Sequence, residues 1–200
     1  LYCKAKDIQF EEQADNDLTE VSGDYEPPRS DHKIIGKINL ADANARYHIS
    51  SLDPRKKECI SGLKKNLNSP RFVMIANSIK RMRLREFFEM EFIRAIYDKP
   101  DLNADETNAY ISLCKAYVDE MIILEIISGL NDRLTEVITD DDMGKKFAIG
   151  LAEALKTKTS EAKECRTFIH QLQKSLSGSR ADRIKDLAAL NQSLAKFIQL

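Results

Sequence analysis

Ten basic side chains between residues 55 and 85 stand against a single acid, Glu58. Arginine and lysine bind a nucleic-acid backbone by neutralising phosphates and releasing counterions, which needs many cations on one surface and little sequence specificity. Lys80, Arg81, Arg83 and Arg85 are the preferred phosphate contacts, joined by Lys64 and Lys65 and, near the end of the chain, by Arg180 and Arg183. At 100° per residue the four cations from 80 to 85 fan around a helix. Some of them are therefore expected to meet acids within the protein or on a neighbouring subunit.

Other chemistry is sparse. His32, His48 and His170 are isolated, with no HExxH or His/Cys cluster at metal-ligand spacing, and read as surface or cap residues. No GxxxxGK[ST] loop is present to cradle a nucleotide, and the seven glycines are scattered. Asp140-Asp141-Asp142 is the one dense carboxylate run. Three acids can hold a hard cation, but the run lacks the alternating spacing of a calcium loop, and an acidic turn also favours the start of a helix. The solvated turn is the expected reading. Cys3, Cys59, Cys114 and Cys165 are widely spaced, form no CxxC pair, and suggest a reducing, intracellular setting. No enzyme, metal or cofactor is expected.

The elements that must carry the cations are helical. From 103 to 176 apolar residues keep a three-four spacing through two arms separated by the acidic turn. Tyr110, Leu113, Tyr117, Leu124, Ile127, Leu134 and Ile138 mark the first seam, interrupted by Glu120 and Asn131. Ala148, Leu151, Leu155, Lys158, Ala162, Cys165, Ile169, Leu172 and Leu176 mark the second. Such seams call for a partner helix, within a coiled coil or as an ordinary core pair. Asn103 and Glu106 have the spacing of a capping box at the start.

The expected class is therefore all-α: a long antiparallel helical hairpin, coiled-coil-like, with additional packed helices and an irregular acidic N-terminal arm. The expected order is the arm over 1–32, a basic helical region over 33–102, the hairpin over 103–176, and an amphipathic C-terminal helix over 177–200. Within the basic region, 33–38 reads as extended, 41–50 as a short helix, 54–67 as a helix opened by Pro54 and capped by Asp53, and 70–97 as one continuous helix. Ser177-Gly178-Ser179 reads as a break. A hydrophobic content of 42% in 200 residues suffices for a packed core in a mostly helical chain. The net charge of −1 conceals alternating acidic and basic blocks. No apolar run approaches the roughly 20 residues of a membrane span, and no signal peptide is visible. The first residue, leucine, reads as the start of a portion of something longer.

The run Tyr110-Ile111-Ser112-Leu113-Cys114-Lys115-Ala116-Tyr117 resembles the Leu-x-x-Tyr-Cys-x-Ala-Tyr helix of some phage terminase small subunits. Residues 172–183, with Leu172, Leu176, Ser179, Arg180 and Arg183, are similar to that family's closing Leu-Gly-Leu-x-x-x-Ser-Arg-x-Arg segment. Together these cover under half of the chain. The acidic arm and very long hairpin depart from the compact members, and no clear helix-turn-helix is present. The resemblance implies a noncatalytic viral DNA-packaging subunit that forms a homo-oligomer, binds duplex DNA in the host cytoplasm and presents it to a motor, the large terminase subunit. A helical virion or scaffold component with protein contacts only is the alternative.

Overall fold

Each helix start carries its own signal. In the computed structural model, which describes residues 23–137 and 142–198, Ser30 caps α1 (Asp31–Ala41) by accepting the Lys33 amide, at 3.3 Å. Asp53 does the same for the Lys56 amide at 2.7 Å ahead of α2 (Pro54–Leu67), and Ser69 for Phe72 at 3.4 Å ahead of α3 (Pro70–Ser78). Proline opens both α2 and α3, where its missing N–H is no loss. Helix α4 follows at Met82–Ile96, then α5 at Ala104–Glu136 and α6 at Asp142–Ile198. Asn103 and Glu106 close the expected capping box, the Glu106 amide donating to Asn103 at 2.8 Å and the Asn103 amide to Glu106 at 3.1 Å. No strand occurs among the described residues, and the class is all-α.

The chain divides into two units, residues 1–115 and 116–200. The first is built on an aromatic centre. Phe72, fully buried, stacks on Phe88 with ring centroids 4.9 Å apart, meets Phe92 at 4.6 Å, and receives the edge of Tyr25 at 5.5 Å. Helix α1 packs on α4 and α2 through Ile34 and Ile38, and Leu63 and Leu67 of α2 complete the core. Gly62 allows close passage of the chain at Pro100, whose Cα would lie 3.2 Å from an added Cβ.

Three local expectations fail in the first unit. Residues 33–38 are helical, inside α1, because burial of Ile34, Ile35 and Ile38 outweighs the weak helix propensity of isoleucine and glycine. Residues 41–50 are not a helix. Asn39 exchanges two hydrogen bonds with the Tyr47 backbone, at 2.9 and 2.8 Å, and Asp42 accepts the Asn44 amide, so the segment closes as a loop ending in a 3-10 turn at Ile49–Ser51. Finally, the 70–97 helix is two helices. The chain turns at 79–81, where the Arg85 side chain donates to the Ile79 carbonyl and supplies the partner that a continuing helix would have given.

In the second unit, the later part of α5 lies antiparallel to α6. Cys165 Sγ donates to the Ala116 carbonyl at 3.4 Å, Arg166 pairs with Glu120 at 2.6 Å, and Gln173 donates to the Tyr117 hydroxyl at 2.9 Å. Ala162, Ile169 and Leu176, seven residues apart, are buried, as a coiled-coil seam requires. The expected break at Ser177-Gly178-Ser179 is absent, and α6 runs unbroken for 57 residues, about 85 Å at 1.5 Å per residue. Ser177 satisfies its hydroxyl on the Lys174 carbonyl within the helix, and one glycine costs a long helix only about 1 kcal/mol. Ile138, Asp140, Asp141 and most of the acidic arm lie outside the described residues.

Candidate nucleic-acid interface

The sequence-selected cations fall into different environments. Arg85 is buried. Its guanidinium donates to the Ile79 carbonyl at 3.3 Å and the Gly23 carbonyl at 2.9 Å, so it holds the chain ahead of α1 onto α4 and is withdrawn from the phosphate-contact set. Lys64 is half-exposed and pairs with Asp31 at 3.2 Å, linking α2 to the first turn of α1. Lys65 is exposed at the rim of a depression of about 360 Å³ where the first turns of α3 and α5 meet, with Asn68, Ser69, Asn103 and Asn108 in its walls. Lys80 is exposed, Arg81 is the half-buried N-cap of α4, and Arg83 is exposed in its first turn. Arg180 and Arg183 are half-buried on α6 in the second unit.

A basic groove that sequence reasoning passed over lies at the start of α1. Glu26, Pro27, Pro28, Arg29, Ser30, Lys33 and Lys37 line an open space of about 570 Å³. Its geometry is set from below by one carboxylate. Glu89, buried on α4, accepts the Tyr25 hydroxyl at 2.7 Å on one oxygen and pairs with Lys37 on the other. The Tyr25 amide donates to Asn77 at 2.6 Å, so residues 23–28 are anchored at Tyr25 by backbone, ring and hydroxyl. Burial, and then the neighbouring Glu89 charge, push the Tyr25 phenol far above its ordinary pKa and keep it a neutral donor. The signal was present as cations four apart at 29, 33 and 37. It was hidden because this stretch reads as the end of an acidic arm followed by an extended piece.

Among the described residues no three His, Cys, Asp or Glu side chains gather as a metal site, and no helix is long and apolar enough to cross a membrane. Cys114 is fully buried and Cys59 nearly so, and burial raises both thiols above their ordinary range, away from nucleophilic use at neutral pH.

The hairpin offers a different kind of surface. Leu124 and Ile126 on α5 are 40% and 41% exposed, and Met143, Phe147 and Ile149 near the start of α6 are 79%, 57% and 60% exposed. Met143 and Phe147 are one turn apart on the same face. Two antiparallel helices bury one stripe each, and these apolar residues lie outside it.

Comparison with known proteins finds no family model, no curated protein and no solved structure that matches the chain.

Proposed function

We propose that this chain is a noncatalytic DNA-packaging subunit of the kind that its resemblance to phage terminase small subunits implies. It self-associates through the helical hairpin, holds duplex DNA by its exposed cations, and presents it to a packaging motor in the host cytoplasm. The observation that carries the reading is the apolar surface left exposed along the hairpin, Leu124 and Ile126 within α5 and Met143, Phe147 and Ile149 in the first turns of α6. Exposed apolar surface of this kind marks protein interfaces. Lys65, Lys80, Arg81 and Arg83 are the preferred phosphate contacts, with Lys64, Arg180 and Arg183 second.

One observation favours the other reading, a helical scaffold or virion component with protein contacts only. Arg85 and Lys64 bind groups of their own unit, so part of the basic block serves the fold. Light scattering of the purified chain, with and without duplex DNA at low and raised salt, separates the two. A defined oligomer that takes up DNA and releases it as salt rises supports the packaging subunit. A defined oligomer indifferent to DNA supports the scaffold, and a monomer contradicts both.

A further inference from the structure

We infer that the groove between residues 26–30 and α1 is a phosphate-backbone clamp, in which Arg29 and Lys33 are the contacting cations and Lys37 is fixed behind them. The inference rests on the DNA-binding reading above and gives it a site that the basic block at 55–85 does not contain.

The local charges lead there. Around the groove, Asp31 is engaged by Lys64, and Glu89 by Lys37 and Tyr25. Arg29 and Lys33 are exposed and enter no ion pair among the described residues, and Glu26 is the one lining acid left to oppose them. The groove therefore carries an excess of positive charge at the N-terminal end of α1, where the helix dipole adds to it.

Its walls are also held in place before any ligand arrives. Tyr25 is pinned to Asn77, Phe72 and Glu89, and the same Glu89 fixes Lys37, so one buried carboxylate sets the position of both sides. The ordering cost on binding then falls mainly on the Arg29 and Lys33 side chains and not on the walls. Pro27 and Pro28 line one wall and have no backbone N–H. An acidic peptide cannot add there as a strand, and recognition is left to charge. Lys64, reaching Asp31, connects this face with α2.

The test is the salt dependence of duplex DNA binding, measured by fluorescence anisotropy on the full chain and on Arg29→Ala/Lys33→Ala. Neither side chain supports the fold, so the circular dichroism and urea midpoint of the variant should match the parent. The parent should bind with an affinity that falls steeply as salt rises. The variant should bind about tenfold more weakly at moderate salt, with a slope shallower by about 1 for each cation removed. The charge-retaining Arg29→Lys/Lys33→Arg should keep most of the slope. If the parent binds DNA and the alanine variant keeps its slope, the clamp is wrong while the DNA-binding reading survives. If the parent shows no salt-sensitive DNA binding, both fall. A variant that loses affinity for polyglutamate with its DNA slope unchanged also overturns the inference, assigning the groove to an acidic peptide.

Discussion

Tyr25 and Glu89, 64 residues apart in sequence, meet at 2.7 Å through phenol and carboxylate, in a place where neither side chain reaches bulk water. This bond ties the chain ahead of α1 to the middle of α4. Lys37, about a third exposed, approaches the other carboxylate oxygen from α1. A buried carboxylate with two donors is tolerated because each replaces water that burial removed.

Replacing Glu89 by Ala should therefore destabilise the first unit. A fully buried pair that loses one partner costs about 3–5 kcal/mol. Here Lys37 can rehydrate, so the expected loss is nearer that of hydrogen bonds to a charged group, about 1.5–3 kcal/mol. Tyr25→Phe, which keeps the ring on Phe72, should cost less. Urea unfolding checks both, and an unchanged midpoint for Glu89→Ala would remove the carboxylate from the account.

Arg85 and Lys80 should behave in opposite ways. Arg85→Ala deprives the Ile79 and Gly23 carbonyls of their donor, and should cost roughly 1–3 kcal/mol of stability. Lys80→Ala, on an exposed side chain, should stay within about 0.5 kcal/mol of the parent. Equal effects in thermal or urea unfolding would contradict the assignment of Arg85 to the fold.

Much of the architecture was readable from local chemistry. Ser69-Pro70, Asp53-Pro54 and the Asn103/Glu106 box announce helix starts through short-range hydrogen bonds, and the structure has those helices. The three-four seam from 148 to 176 places Leu151, Ala162, Ile169 and Leu176 in the buried stripe. What failed depended on side chains belonging to other elements, near or far in sequence. The turn at 79–81 is stabilised by Arg85 from the next helix, and the 41–50 loop by Asn39 from the preceding one. The groove at Arg29 and Lys33 is assembled by Glu89, far away in sequence, and no local pattern marks that meeting.

The unbroken α6 leads to a test of its own. Gly178 has a helical neighbourhood on both sides and nothing within 4 Å of an added Cβ. Gly178→Ala should stabilise the helix by about 0.8–1 kcal/mol, since it removes the conformational freedom of glycine without a clash. A loss of helicity or stability, by circular dichroism during thermal unfolding, would mean that the chain bends there.

Alkaline conditions should weaken the first unit. The Tyr97 phenol donates to Asp42 at 2.7 Å, and this bond first, then burial, raises its pKa to about 12. Burial raises Tyr47 to about 12 also. These groups stay neutral in the folded chain after they have ionised in the unfolded one, so the unfolded state binds fewer protons. Their contribution is full below pH 10, the ordinary tyrosine value, and is lost as pH rises toward 12. Denaturant midpoints should fall across that window, and less so in Tyr97→Phe. The same bond holds Asp42 below the ordinary carboxylate value of 3.8, and Tyr97→Phe should move its NMR titration upward.

Self-association through the exposed apolar surface of the hairpin is the claim on which the proposed role depends most. Multi-angle light scattering should therefore compare the parent with Phe147→Lys/Ile149→Lys, two exposed positions whose change leaves the buried seam untouched. The parent should be a defined oligomer and the variant a folded species of lower mass, with helicity retained. A parent of monomer mass, or a variant whose mass is unchanged, would contradict that claim.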